Sequence, residues 1–139
     1  MRSIPLFGTT HADYLNTDVP CTLPLEDELV STNYERNTGV QIINHFNSHV
    51  LDYRQIEMVL VGGHAPFTWG QTGRDAVDNS AMLEYIAMLA YRTERINPLA
   101  SRLKSALVEK HHSRKHGPHA YYGQAGSKED IRKSLWLTK

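Results

Sequence analysis

From Ala81 to Tyr91 only Glu84 is polar, and Thr72 and Asp75 stand just ahead of this run. Thr72 is a good N-cap, and an acidic residue in the first turn suits the positive end of a helix. The segment predicts one long helix from about residue 72 to residue 95, its middle covered nearly all round. Other apolar elements must supply that cover. Met58-Val59-Leu60-Val61, followed by Gly62 and Gly63, predicts a buried strand stopped by two glycines. Residues 65–70 read as a turn leading into a short strand. Asn37 or Thr38 can cap an earlier helix with Val40, Ile43, Phe46 and Val50 along one face. Asn97 and Pro98 predict a helix restart, with Leu99, Leu103, Ala106 and Leu107 as its apolar face and Gly117-Pro118 as its end. Residues 1–35, punctuated by Pro5, Gly8, Pro20 and Pro24, read as loops and short strands.

The 139 residues make one ordinary domain's worth of chain, with no repeat or low-complexity tract. Apolar residues at 40% and charged residues at 22% exclude wholesale disorder. Fifteen basic and fifteen acidic side chains cancel, so neither nucleic acid nor an anionic membrane is an expected partner. A lone cysteine, Cys21, excludes a disulfide-stapled scaffold. No apolar run can span a bilayer, and the first residues lack the apolar centre of a signal peptide. A cytoplasmic location is the expectation.

Eight histidines are the chemical feature of the chain. His64 follows the buried strand through two glycines, where backbone approaches a ligand closely, and is the best single metal-ligand candidate. From spacing alone, a loop histidine that only hydrogen-bonds is the plainer reading. His45 and His49, and likewise His112 and His116, are four apart and could chelate, but solvated helix faces explain them as well. Asp13 shares a short polar stretch with Thr9, Thr10 and His11. Its carboxylate could move protons or simply close a turn. Tyr121 and Tyr122 offer phenols or packed aromatics. The run from Lys110 to His119 could bind phosphate or be a solvated helix end.

Several stretches together resemble the L-ribulose-5-phosphate 4-epimerase branch of the class II aldolase family. They are Ile4-Pro5 with Gly8-Thr9-Thr10-His11-Ala12-Asp13-Tyr14, Val19-Pro20-Cys21-Thr22, Tyr34-Glu35 with Thr38-Gly39, and Val59-Leu60-Val61 with His64 and Pro66-Phe67. Trp69-Gly70, Asp75-Ala76-Val77 with Asn79, Lys110-His111, Arg114-Lys115-His116-Gly117 and Ala120-Tyr121-Tyr122-Gly123-Gln124 complete the set. The resemblance implies an α/β fold, a three-layer α/β/α arrangement around a mostly antiparallel sheet. It implies a phosphorylated pentulose substrate, inverted at C4 between L-ribulose 5-phosphate and D-xylulose 5-phosphate by a retro-aldol route. It implies a divalent metal, usually Zn2+, and a homotetramer with sites between neighbouring subunits. Asp13 and Tyr122 match the family's two proton-transfer groups, His64 its third metal ligand, and Thr9, Glu35 and His111 supporting positions.

The family's His-x-His pair, which supplies the other two metal ligands, is not found here, nor are the loops that hold the substrate phosphate. Residues 1–124 are therefore expected to be the C-terminal part of such a domain, its N-terminal part missing, and 125–139 a polar tail. Two alternatives stand beside this reading: an aldolase or epimerase of the same family acting on another phosphorylated sugar, and a non-catalytic truncated remnant acting only in assembly.

Overall fold

A computed structural model describes residues 2–116 and 120–122. The elements run α1 (Thr9–Ala12), β1 (Cys21–Pro24), α2 (Asp27–Ser48), β2 (Met58–Gly62), β3 (Pro66–Thr68), α3 (Gly73–Ile96) and α4 (Ser105–His116). The expected tail, residues 125–139, lies outside the described residues, as does the helix stop expected at Gly117-Pro118. Among the described residues no helix is long and apolar enough to cross a membrane.

The fold is α/β, but its sheet differs from expectation. The described strands form one mixed sheet in the order β1-β2-β3, with β1 parallel and β3 antiparallel to β2. They form neither a mostly antiparallel sheet nor three distinct layers. The connections set the two directions. β1 reaches β2 through all of α2, a crossover that brings the chain back parallel. β2 reaches β3 through Gly63, His64 and Ala65, a turn too short for anything but an antiparallel return. Gly63 has φ of +73°, a conformation costly for a residue with a Cβ. Gly62 has a different need. A Cβ there would lie 2.4 Å from the Pro24 nitrogen, so β1 can approach β2 this closely only against glycine.

β2 is the buried centre, with Met58, Val59 and Val61 almost fully enclosed. Leu15, Val19, Phe46, Ile56, Leu83 and Ile86 pack with Met58 and Val59 into one core. α3 begins as expected. Thr72 Oγ1 accepts from the Asp75 amide and Asp75 Oδ2 accepts from the Thr72 amide, a reciprocal capping box. It buries one stripe only: Leu83, Ile86 and Ala90 are inside, while Tyr85 and Tyr91 are 45% and 65% exposed. Among the described residues nothing supplies the expected all-round cover.

Three further expectations are corrected. The helix expected from residue 37 starts at Asp27, because Asn33 breaks its backbone (φ −144°, ψ 72°) and so breaks the apolar period. Asn37, expected as a cap, instead donates to the Leu29 carbonyl at 2.8 Å and splints the kink. Thr38 Oγ1 donates back to the Tyr34 carbonyl at 2.8 Å. Of the expected apolar face only Phe46 is core, and Val50 is 92% exposed. Asn97-Pro98 forms a turn rather than a helix start, and α4 begins only at Ser105. The Asn97 side chain accepts from the Leu99 amide at 3.0 Å, closing that turn.

Candidate functional site

The polar stretch around Asp13 is a single helical turn, α1, packed against α4. Asp13 is its C-cap, with its amide donating to the Thr9 carbonyl at 2.9 Å. The side chain leaves the turn and meets α4. Arg114 donates from Nη2 to both Asp13 oxygens, at 2.9 and 3.0 Å, and from Nε to Oδ1 at 3.2 Å. His111 Nδ1 lies 2.9 Å from Oδ1, and Lys115 Nζ 3.8 Å from Oδ2. His116 Nε2 lies 2.8 Å from the Asp13 backbone carbonyl.

The α4 run expected as a solvated helix end thus turns four of its side chains onto one carboxylate-bearing residue. The Asp13 side chain is only 15% exposed. Burial by itself would raise its pKa. The hydrogen bonds from His111 and Arg114, with the charges of Lys115 and Arg114, outweigh that and hold it below the usual carboxylate range. Asp13 is therefore an anion at neutral pH. Most acceptor positions on Oδ1 are taken, whereas Oδ2 holds one close N–H and keeps room for another donor.

Tyr122 joins the same cluster from the other side. The Arg114 guanidinium sits over its ring, 4.2 Å from the centroid. The amides of Tyr121 and Tyr122 both donate to the Arg114 carbonyl, at 2.9 and 3.0 Å. Tyr121 and Tyr122 are 61% and 51% exposed, so they are not packed anchors. Asp13, His111 and Tyr122, named from the sequence, are brought together. Arg114, which joins them, reads in the sequence as one cation of a basic run and as part of a resembling stretch, with no role of its own.

His11, beside Asp13 in sequence, behaves oppositely. It is 4% exposed, and among the described residues neither ring nitrogen makes a well-formed hydrogen bond, although the Thr17 and Pro5 backbones lie near enough to favour the protonated ring weakly. Burial drives its pKa down to about 4 against the opposing pull of Asp18, so the ring is neutral.

His64 lies elsewhere. It is exposed in the β2–β3 turn, stacked on Phe67 with ring centroids 5.1 Å apart and near Tyr34 at 6.0 Å. It lines an open cleft of roughly 360 Å³ with residues of β1, α2 and β2, so there is room beside it. Nδ1 lies 3.1 Å from the Ala65 carbonyl. An N–H on that nitrogen leaves Nε2 as a lone-pair donor, the usual arrangement of a histidine ligand. Glu35, exposed, follows Tyr34 on α2. Thr9, half-buried, contributes its carbonyl to Asp13. None of Asp13's contacts reaches His64.

Among the described residues no group of three or more His, Cys, Asp or Glu side chains could hold a metal. His64 is a suitable single donor, and one donor does not make a centre. The His45 and His49 rings lie tilted to each other with centroids 4.2 Å apart, and His49 Nδ1 lies 2.9 Å from the His45 carbonyl. His112 and His116 stack at 4.7 Å. Burial and a neighbouring histidine lower the pKa of both His45 and His112, which favours their neutral forms.

Comparison with known proteins bears on this geometry. The chain is 42% identical over 130 residues to a protein of Mycoplasma pneumoniae described as probable L-ribulose-5-phosphate 4-epimerase UlaF. The match covers 93% of this chain and 54% of that relative, so the chain spans about half the length of the curated protein it matches. Residues 1–91 match the model of the class II aldolase and adducin N-terminal domain. With most of its length inside that match, the chain belongs to the class II aldolase and adducin family.

Proposed function

We propose that this chain carries the proton-transfer part of a sugar-phosphate epimerase site, and that the reaction is C4 inversion between L-ribulose 5-phosphate and D-xylulose 5-phosphate. The observation that carries the reading is the convergence of Asp13 and Tyr122 on one guanidinium, although Asp13 and Arg114 are 101 positions apart. Family membership and the likeness to a probable epimerase support it.

The chemistry follows from the substrate. C4 of a 2-ketose is β to the carbonyl, so its hydrogen is not acidic. Its hydroxyl, however, makes C3–C4 a bond that a retro-aldol step can break. Loss of the C4 hydroxyl proton then gives glycolaldehyde phosphate and a three-carbon enediolate. Rotation of the aldehyde and re-addition on its other face restores the bond with C4 inverted, and a proton returns to the C4 oxygen. Nothing is oxidised or reduced. The oxygen points to opposite sides before and after rotation, so two proton-transfer groups are needed. Asp13, ionised and with room on Oδ2, accepts the proton on one side. The Tyr122 hydroxyl donates it on the other. His111 holds Asp13 in place through Nδ1.

Polarisation of the ketose oxygens is the chemistry that a divalent cation, zinc in our reading, supplies when bound. His64 would offer one ligand, and among the described residues no His, Cys, Asp or Glu group completes the set. The separation of His64 from the Asp13 cluster supports a site shared between copies of the chain, as in a homotetramer. Glu35 and Thr9 take supporting positions.

The test is turnover of L-ribulose 5-phosphate by the chain alone and mixed with the part of the Mycoplasma relative that lies outside the match, with zinc present. Conversion that falls by about 100-fold or more with Asp13→Asn and with Tyr122→Phe is the expected result. A folded, metal-loaded mixture that is inert towards this sugar overturns the reading. Turnover of a different ketose phosphate instead would favour the alternative substrate.

A further inference from the structure

We propose that Arg114 is a positioning residue that holds the Asp13 carboxylate and the Tyr122 ring in place together, making the two a single unit within one chain. The inference rests on the role given above to Asp13 and Tyr122, and goes beyond it by naming the residue that couples them.

Three independent contacts meet at Arg114. Its guanidinium grips both oxygens of Asp13 with N–H groups at 2.9, 3.2 and 3.0 Å. The same planar group lies over the Tyr122 ring, 4.2 Å from its centroid, where a cation is attracted to the π face. Its main-chain carbonyl accepts both the Tyr121 and the Tyr122 amide. The first contact fixes α1 to α4. The other two return the chain after α4 to the same spot. A bidentate fork with a flat face can grip a carboxylate in its plane and a ring above it at once, and a lysine ammonium cannot. Lys115 illustrates the difference. It carries the same charge, yet its Nζ is 3.8 Å from Asp13 and 5.9 Å from the Tyr122 centroid.

An ordinary structural ion pair would hold Asp13 and leave Tyr122 indifferent. The coupling makes a different forecast, readable without turnover. In the wild-type chain, nuclear Overhauser contacts are expected between the Arg114 side-chain CH₂ protons and the Tyr122 ring. In Arg114→Met, the Asp13 carboxyl carbon should titrate at higher pH and the Tyr122 ring carbons should shift and lose those contacts. In Arg114→Lys the Asp13 midpoint should move less, because a charge remains, while the Tyr122 contacts are lost as fully as in Arg114→Met. Tyr122→Phe supplies the assignment, and amide spectra confirm that each variant is folded.

Absence of the wild-type contacts overturns the proposal even if no variant folds. So does an Arg114→Met chain that moves Asp13 and leaves Tyr122 unchanged. Because these readouts need no substrate, failure here is distinct from failure of the epimerase reading, which turnover alone decides.

Discussion

Oδ1 of Asp13 lies 2.9 Å from Nδ1 of His111, and the same oxygen receives two N–H groups of Arg114. Replacing the carboxylate by an amide removes an acceptor and a charge from a half-enclosed cluster of cations. Asp13→Asn is expected to cost about 1–3 kcal/mol in urea unfolding. In an assembly competent for turnover it should lower the rate by at least ~100-fold. The pH sign is fixed by the depressed carboxyl. Its stabilisation is complete above the unfolded-state carboxyl pKa and is lost as pH falls through the lower folded-state value. Asp13→Asn should flatten that acid limb.

Tyr122→Phe and His64→Ala should separate cleanly. If Tyr122 has the proposed proton-donor role, loss of the phenol should lower the rate by about 100-fold with bound metal unchanged. If His64 is the proposed ligand, loss of its imidazole should lower the metal content measured by elemental analysis. Both variants retaining full metal and full rate would end these assignments.

The buried, neutral His11 makes stability depend on pH in a different window. Its pKa falls from 6.5 in the ordinary state to about 4, so between those values the unfolded chain binds the extra proton. Stability should be undiminished above pH 6.5 and should drop progressively towards pH 4. The loss from this one group is at most about 3 kcal/mol. Urea midpoints from pH 7.5 to pH 4.5 measure the slope, and His11→Phe should reduce it. His45 and His112, also shifted down, act in the same direction and keep the slope above zero.

Val50 holds the left-handed position after α2, with φ of +54°. Its amide and that of Leu51 close the helix end by donating to the Asn47 and Phe46 carbonyls at 3.3 and 2.9 Å. A β-branched residue is strained there, and its exposed side chain gains little packing. Val50→Gly should therefore stabilise the chain by about 0.5–1 kcal/mol, despite glycine's greater freedom when unfolded. An unchanged or lower urea midpoint would contradict the strain.

The same residue shows where sequence stops being informative. Val50 fits a helical period with Val40, Ile43 and Phe46, but period alone does not say where the helix ends or which face meets the core. The start of α2 was hidden for a related reason: Asn33 offsets the two halves, and Leu29 and Val30 stay partly exposed. Features fixed by local chemistry were legible. The Thr72–Asp75 box and the glycine-terminated strand from Met58 stand where residue type alone puts them. His64 stands out locally, behind a glycine-ended strand, whereas the roles proposed for Asp13 and Tyr122 come only through family resemblance. Arg114 was lost among neighbouring cations, because its partners lie at the other end of the chain.

The parallel pairing of β1 with β2 has a kinetic consequence. Cys21 meets Leu60 only after the intervening α2 has been threaded back, whereas Met58 meets Thr68 across a three-residue turn. Closing the longer loop costs more chain entropy, so the hairpin with α3 behind it is the natural nucleus, and β1 docks late. Until it does, one side of β2 is an open template, and Leu23, 76% exposed even in the finished fold, arrives with it. Slow refolding with concentration-dependent losses would be the mark of that interval.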